Sequence, residues 1–154
     1  MQKKLVVILL LFLITQKSIA QNIQVLKFDA LKQCIYNNSD TLYVVNFLAS
    51  WCKPCIKEIP ELVAFAETIK NSKIKLLFVS LDLKNDQKKL LEIVKQFSLQ
   101  NVYLLDEINA NNWISKIDKH WSGAIPATVI IKKRKKKKFI ADVISSQTLF
   151  KLIK

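Results

Sequence analysis

The segment FLASWCKPCIKEIP carries two cysteines, Cys52 and Cys55, that are separated by two residues. A pair at this spacing can bind a metal, hold a haem, cross-link a fold, or exchange electrons as a dithiol and a disulfide. Haem attachment needs a histidine directly after the second cysteine, and Ile56 stands there instead. A zinc site needs four ligands, and only Cys34 and His120 could complete one, at a spacing that matches no metal-binding motif. Metal binding and haem attachment are therefore not expected.

Thiol–disulfide exchange is the chemistry that the residues around the pair favour. A purely structural disulfide between Cys52 and Cys55 would close a very short loop and constrain little of the unfolded chain. The pair precedes a predicted helix, whose N-terminal N–H groups and dipole stabilise a thiolate at Cys52, and Lys53 adds a positive charge. We expect Cys52 to attack a substrate disulfide and Cys55 to resolve the mixed disulfide. Pro54 stiffens the loop that holds both sulfurs.

Predicted helices and strands alternate along the chain, and the pair falls between a buried strand and a helix. Apolar and β-branched runs predict strands, and apolar residues at intervals of three and four predict helices. In chain order we expect a helix in VLKFDALKQCIYNN, a strand in TLYVVNFLA, a helix after the pair, a strand in KIKLLFVSLD, a helix in NDQKKLLEIVKQFSL, a strand in NVYLLD, a helical stretch in NANNWISKIDKHW, a hairpin of ATVIIKK and KFIADVI, and a last helix in SSQTLFKLIK. Pro60 is expected to kink the second helix, and Asn85 or Asp86 to cap the third. This order predicts an α/β sandwich with a central mixed β-sheet flanked by helices, and it places the pair at the carboxyl end of a strand, where such folds have their sites.

The first twenty residues have the three-part pattern of a secretory signal peptide. A basic start, MQKK, is followed by the apolar run LVVILLLFLI and by TQKSIA, with small residues at Ser18 and Ala20. A run of ten apolar residues is shorter than the roughly 20 that span a bilayer, and an uncleaved membrane anchor is the alternative. We therefore predict a signal peptide at residues 1–20 and a single domain at residues 21–154. The predicted location is the periplasm or the outer face of a bacterial cytoplasmic membrane.

The positive charge of the chain is concentrated in one segment. The formal net charge is +13, and the run KKRKKKK, residues 132–138, supplies seven positive charges. The run is expected to form the solvated tip of the last hairpin, with contact to anionic lipid headgroups or acidic partners as the lesser alternative. No nucleic acid partner is expected of an exported protein. Cys34 is expected to be a buried, inert thiol on the apolar face of the first helix, and His120 to lie on the surface or to pack.

Two motifs, WCKPC and GAIPAT, resemble those of thioredoxin-fold thiol–disulfide oxidoreductases, specifically the exported TlpA/ResA type. The resemblance extends over nearly the whole chain from Leu42 onward. It implies a thioredoxin-like fold in which Pro126 follows a cis peptide bond and faces the disulfide across a groove, while Ile125 offers its backbone to an extended substrate. It also implies that NVYLLD and NANNWISKIDKHW form a strand–helix insertion before this proline. Trp51 would then cover one side of the redox-active disulfide, and simple packing is compatible with its position.

Two positions near the pair distinguish the chain from ordinary thioredoxins. Asn46 replaces the buried aspartate that thioredoxins usually keep, and it cannot take a proton. Glu58, three residues after Cys55, matches a glutamate of the TlpA/ResA-like proteins. Because residues three apart share a helix face, Glu58 could accept the Cys55 proton when that thiol attacks. A solvated glutamate that pairs with Lys57 is the alternative, and the sequence does not choose between the two.

The resemblance implies a reductase that acts on disulfides of exported proteins, with apocytochrome c cysteines among the suggested targets. A membrane electron donor of the thiol-relay type would restore the dithiol. No cofactor or metal is implied, and the chain is expected to be a monomer. Disulfide oxidase or isomerase activity is the nearest alternative, and a peroxiredoxin, which shares the fold but uses a lone peroxidatic cysteine, is a more distant one. A thioredoxin-fold module that binds partner peptides without turnover is the alternative from a different class.

Overall fold

The computed structural model describes residues 23–154, and the predicted signal peptide lies outside the described residues. The strands in this part of the chain are β1 Gln24–Leu26, β2 Leu42–Leu48, β3 Ile74–Ser80, β4 Val102–Leu105, β5 Ala127–Lys132 and β6 Lys135–Ile140. The α-helices are α1 Phe28–Ile35, α2 Lys53–Thr68, α3 Lys88–Gln96, α4 Ile114–Ile117 and α5 Ser146–Leu152, and a short 3-10 helix lies at Ala110–Asn112. Within residues 23–154, no helix has both the length and the apolar character needed to cross a membrane.

The strands form one mixed sheet in the order β1-β4-β3-β2-β5-β6. β1, β4, β3 and β2 are parallel to one another, β5 runs antiparallel to β2, and β6 runs antiparallel to β5. The carboxyl ends of β2, β3, β4 and β6 therefore lie at one end of the sheet, together with the start of β5. Since Cys52 follows β2 and Pro126 precedes β5, the sheet brings together two residues that are far apart in the sequence.

Helices cover both faces of the sheet. On one face, α2, α3 and α5 pack on the strands through buried side chains that include Phe65 of α2 and Leu149 of α5. On the other face, α1 and the segment around α4 form a second core. In this core the Phe47 ring centroid lies 5.9 Å from that of Trp113 and 4.9 Å from that of Trp121. The predicted α/β sandwich with a central mixed sheet is confirmed.

Several element ends differ from the sequence-based expectations. β1 was not predicted, because three residues are too few to show a strand pattern, and it pairs with β4. The predicted cap of the third helix is wrong: α3 begins at Lys88 after Gln87, and no side chain caps it. Asn85 and Asp86 lie before this point, where the Asp86 N–H donates to the Leu83 carbonyl and closes a turn. The helical stretch after β4 is also shorter than predicted, with one 3-10 turn and the four residues of α4.

The β5–β6 hairpin closes through Lys133 and Arg134, whose φ angles are 48° and 61°. A two-residue turn with two positive φ angles matches the twist of paired strands, so β6 begins at once with Lys135. The strand predicted from Lys138 onward therefore begins three residues earlier than expected. Much of the basic run therefore lies along the edge strand β6 as well as at the tip of the hairpin.

Cys34 is exposed, so the prediction of a buried thiol is wrong. α1 buries Phe28, Leu31 and Ile35 against the sheet. With 3.6 residues per turn, Cys34 lies about 90° around the helix from the middle of this face, and its side chain faces solvent. His120 is exposed too, as expected of a surface position.

Candidate active site

Cys52 and Cys55 lie at the junction of β2 and α2 and are joined in a disulfide. Cys52 is the N-cap residue of α2, and the Cys55 backbone N–H donates to its Sγ at 3.3 Å. Pro54 lies in the first turn, where the helix needs no backbone N–H, and α2 continues through Pro60 to Thr68. Cys52 is 5% exposed and Cys55 is fully buried, so an incoming partner reaches Cys52 first.

The loop before β5 lies against the disulfide. The peptide bond between Ile125 and Pro126 is cis, and Cys52 Sγ lies 3.7 Å from the Ile125 carbonyl oxygen. This contact follows from the strand register, since Phe47 near the end of β2 is paired with Ala127 at the start of β5. Pro126 is buried and Ile125 is partly buried. The structure thus places the backbone of the second motif next to the more accessible sulfur of the first.

Three residues around the pair, Trp51, Lys53 and Pro54, are exposed. Trp51 is 64% exposed, so simple packing does not explain it, and its apolar surface faces solvent directly before Cys52. Lys53 is the first residue of α2. The free N–H groups of the first helical turn and the Lys53 charge both favour a thiolate at Cys52 once the disulfide is reduced.

Glu58 is buried one turn after Cys55, whereas Lys57 is exposed, so Glu58 is not the solvated partner of that lysine. Glu58 Oε1 accepts a hydrogen bond from Asn46 Nδ2 at 2.8 Å, and Oε2 accepts one from the Ile144 N–H at 2.8 Å. Burial raises the pKa of the Glu58 carboxyl above its usual value, and the two hydrogen bonds offset part of this rise. Such a carboxyl takes up a proton more readily than a solvent-exposed one.

Asn46 connects Glu58 to β5. Its Nδ2 also donates to Thr128 Oγ1 at 3.1 Å, whereas its Oδ1 has no hydrogen-bond partner among the described residues. From the sequence, Asn46 is expected only as a replaced aspartate, and Thr128 and Ile144 are not among the predicted site residues. A signal was available, because Asn46 and Thr128 each interrupt an apolar strand, and a polar side chain in a buried strand needs a partner.

A second buried polar cluster holds the loop before the cysteines. The Asp82 carboxylate accepts hydrogen bonds from the Ser50 N–H at 2.9 Å, the Ser50 hydroxyl at 2.7 Å and the Ser80 hydroxyl at 2.7 Å. Ser50 and Asp82 are each 5% exposed. These bonds fasten the β2–α2 loop, just before Cys52, to the end of β3. This cluster is not among the predicted features, although Ser50 and Asp82 follow two buried strands, β2 and β3, that end at the same side of the sheet.

The possible additional metal ligands lie elsewhere. Cys34 lies near the end of α1, and His120 lies in the loop after α4. Among residues 23–154, no group of three or more histidine, cysteine, aspartate or glutamate side chains is arranged to hold a metal ion.

A family comparison covers the part of the chain that contains this site. The AhpC/TSA family matches residues 19–139, well over half of the chain, and the matched span includes Cys52, Cys55, Glu58 and Pro126. The chain belongs to the AhpC/TSA family. No curated protein matches the chain in sequence.

Solved structures of other proteins share the fold. StoA from Bacillus subtilis is 21% identical, with a TM-score of 0.59 over 76% of this chain and 85% of StoA. A thioredoxin-related protein from Neisseria meningitidis serogroup B is 19% identical, with a TM-score of 0.63 over 75% of this chain and 84% of that one. A secreted Mycobacterium tuberculosis disulfide oxidoreductase homologous to E. coli DsbE is 18% identical, with a TM-score of 0.57 over 75% of this chain and 82% of that one. The thioredoxin-like fold that the two sequence motifs implied is confirmed.

Family, fold and disulfide support the same kind of chemistry. The AhpC/TSA chain has a thioredoxin-like fold, and its two bonded cysteines lie at a helix N-terminus beside a cis-proline loop. This arrangement supports thiol–disulfide oxidoreductase activity at Cys52 and Cys55.

Proposed function

We propose that this protein is an exported thiol–disulfide oxidoreductase of the TlpA/ResA type that reduces disulfides in extracytoplasmic proteins. The observation that carries the proposal is the Cys52–Cys55 disulfide at the N-terminus of α2, with Cys52 Sγ 3.7 Å from the Ile125 carbonyl oxygen. The more accessible sulfur of Cys52 suits an attacking thiol, and the buried sulfur of Cys55 suits a resolving one. The mycobacterial neighbour is described as a secreted disulfide oxidoreductase, which agrees with the signal peptide predicted at residues 1–20.

The cycle begins with the reduced pair. The Cys52 thiolate attacks one sulfur of a substrate disulfide, forms a mixed disulfide with it, and releases the other substrate sulfur as a thiolate. The Cys55 thiolate then attacks Cys52 Sγ, so the Cys52–Cys55 disulfide forms and the second substrate sulfur leaves as a thiolate. The substrate gains two electrons and, after protonation, carries two thiols, while the protein has lost two electrons. A dithiol donor must return them.

Glu58 has the role of proton acceptor in this cycle. Cys55 is fully buried, so its thiol needs an acceptor inside the protein before it can attack Cys52. Glu58 lies one turn further along the same helix and is held by Asn46 and by the Ile144 N–H. Its carboxylate takes the Cys55 proton during resolution and releases it when the pair is reduced again.

The remaining parts of the proposal concern partners and alternatives. A membrane protein of the thiol-relay type donates the electrons, and exported proteins with unwanted disulfides, including apocytochrome c, are the substrates. A peroxiredoxin would have a lone peroxidatic cysteine after β2, whereas this chain has a bonded pair there. A disulfide oxidase or isomerase would use the same residues, so the direction of electron flow has to be measured.

The reduction potential of the Cys52–Cys55 pair tests this direction. The protein is equilibrated in redox buffers of known potential, and free thiols are alkylated and counted by mass spectrometry. A Cys34→Ser background removes the third thiol from the count. A value near about −270 mV is expected of a reductase with a dedicated donor. A value near about −120 mV would make the protein an oxidant and would refute the proposed direction.

A Cys55→Ser variant distinguishes an enzyme from a peptide-binding module. Without its resolving thiol, an oxidoreductase accumulates mixed disulfides between Cys52 and its substrates, and reducing agents release them. The matched control is Cys52→Ser, and both variants are made in the Cys34→Ser background, so the thiol that remains in the control is Cys55, which is buried and should capture nothing. Partners that stay bound to the Cys55→Ser variant without covalent capture would support the binding module instead.

A further inference from the structure

Exposed apolar residues are gathered at the end of the sheet that carries the disulfide. In the described part of the chain, four large apolar residues are exposed: Trp51 at 64%, Leu83 at 72%, Ile108 at 91% and Val143 at 51%. Each is the third residue after a strand, following β2, β3, β4 and β6 respectively. Because these four strands point the same way, the four side chains lie in loops at one end of the sheet. Single exposed apolar residues are ordinary, but their collection around a reactive disulfide indicates a contact surface.

Two of these residues border a cleft. The cleft has a volume of about 510 Å³ and lies between the loops that follow β3 and β4. Leu83 and Ile108 lie along it, together with the more buried residues Leu105 and Trp113. Its apolar lining and its preformed shape suit a hydrophobic side chain.

The cleft is structurally continuous with the redox site. Asp82 lines the cleft, and its carboxylate accepts hydrogen bonds from the Ser50 N–H and the Ser50 hydroxyl in the loop that leads to Cys52. β3 is the direct neighbour of β2, and β4 is the next strand. With neighbouring strands about 4.8 Å apart, the loops after β3 and β4 that form the cleft lie roughly 5 Å and 10 Å to one side of the strand that leads to the disulfide.

The charges at the cleft are largely neutralised by one another. Asp106 Oδ2 lies 3.2 Å from Lys27 Nζ and 3.7 Å from Lys84 Nζ. Glu107 adds one carboxylate to the lining. A mixed rim of this kind does not select a strongly charged ligand, so apolar contact remains as the basis of recognition.

We propose that this cleft binds an apolar side chain of the substrate polypeptide, three or four residues away from the cysteine that Cys52 attacks. An extended chain advances about 3.3 Å per residue, so three or four residues cover the distance from the disulfide to the cleft. The substrate class is therefore an extended or unfolded segment with an apolar residue at this distance, in preference to a disulfide in a compact native surface. The inference rests on the proposed function, because it assumes that Cys52 forms a mixed disulfide with a polypeptide.

Synthetic peptides test the inference directly. Each peptide carries one cysteine activated as a mixed disulfide with thionitrobenzoate, and either leucine or serine three or four residues before or after it. The reduced Cys55→Ser variant is used in the Cys34→Ser background, so Cys52 carries its one thiol. The Cys52 thiolate attacks the peptide sulfur once, forms the Cys52–peptide disulfide and releases coloured thionitrobenzoate. The leucine peptide on one side of the cysteine should react about tenfold faster than its serine counterpart, as expected for filling a hydrophobic pocket.

Substitutions at the rim locate the effect. In a variant that also carries Leu83→Ser and Ile108→Ser, the rate ratio between leucine and serine peptides should fall close to one. Val143→Ser is the matched control, since Val143 is exposed at the same end of the sheet on the opposite side of the pair, and it should keep the ratio. The ratio is taken within each variant, so a general change in Cys52 reactivity cancels. All three substituted residues are more than half exposed, so folding should be preserved.

Three results of the peptide assay would overturn the inference. They are a ratio close to one with the unchanged cleft, a ratio that survives the double substitution, and an equal loss of the ratio in Val143→Ser. Sedimentation that shows a dimer abolished by the double substitution would also overturn it, because a second copy would then occupy the cleft. A separate reaction of the same protein, which lacks Cys34 and Cys55, with dithiobis(nitrobenzoate), a small disulfide, tests the proposed function alone. If Cys52 does not react with this reagent, the proposed function fails whatever the peptides show.

Discussion

Replacing Asp82 with alanine should destabilise the protein by about 3–4 kcal/mol. Three donors lose their acceptor in this variant: the Ser50 N–H, the Ser50 hydroxyl and the Ser80 hydroxyl. A buried N–H without a partner costs about 1–3 kcal/mol, and each hydroxyl bond to a carboxylate contributes roughly 1.5 kcal/mol or more. Together these losses come to about 4 kcal/mol or more, and removing a buried charge offsets part of them, which brings the expected loss to about 3–4 kcal/mol. A domain is stable by about 5–15 kcal/mol, so the effect is large.

Asp82→Asn is the matched control. Its amide oxygen can accept from the Ser50 N–H and the Ser80 hydroxyl, while its NH₂ group donates to the Ser50 hydroxyl, which can also act as an acceptor. All three contacts survive in this orientation, although bonds to a neutral amide are weaker than bonds to a carboxylate. The asparagine variant should therefore lose less than about 1.5 kcal/mol.

Urea unfolding of the oxidised proteins measures both losses, and amide hydrogen exchange locates them. The Ser50 amide should exchange faster in Asp82→Ala and stay protected in Asp82→Asn, because only alanine frees its N–H. If Asp82→Ala loses less than about 1 kcal/mol, or no more than Asp82→Asn, the carboxylate does not hold the loop and our reasoning is wrong.

Two further predictions concern Glu58 and Cys34. Burial raises the pKa of Glu58 in the folded protein above the value of 4.5 that it has in the unfolded chain. The folded protein therefore binds this proton more tightly than the unfolded chain does. The free energy of unfolding falls as the pH rises from the unfolded-state pKa through the folded-state pKa. Glu58→Gln cannot ionise, so its stability relative to the unchanged protein should rise from pH 4 to pH 8 in urea titrations, and parallel curves would contradict the raised pKa. A maleimide should label one thiol per oxidised native chain, because Cys34 is exposed while Cys52 and Cys55 are bonded. The labelling should vanish in Cys34→Ser, and an unlabelled native chain would show that Cys34 is inaccessible.

The sequence predicts the parts of the fold that depend on local patterns. The apolar run before WCKPC and the helical spacing after it are visible in the letters, so β2, α2 and the position of the pair could be predicted. Cys34 is wrongly predicted to lie on the buried face of α1. A helix that packs on a sheet buries only the side chains that face the sheet, and Cys34 is not among them. The hairpin of β5 and β6 is predicted, but its two-residue turn at Lys133 and Arg134 is not, because neither residue is typical of positive φ angles.

The site residues could be predicted only where they lie on a single helix or strand. Cys52, Cys55 and Glu58 share a helix, and their spacing shows that they lie near one another. The burial of Glu58 depends on Asn46 and on the Ile144 N–H, which come from β2 and from the segment before α5. Such contacts follow from sheet order and strand register, and a single sequence shows neither. The partnership of Ser50 with Asp82 was missed for the same reason.

The two edges of the sheet differ in length and charge. β1, as described, has only three residues, whereas β6 is six residues long and carries lysines at four consecutive positions, Lys135 to Lys138. An open strand of this length could pair with the same strand of another copy and begin an aggregate. Such pairing would bring the lysine rows to about 4.8 Å, well inside the screening length of about 8 Å at physiological salt. Ordinary salt therefore leaves the repulsion largely in place, and the basic run protects the exposed edge of an oxidoreductase from self-assembly.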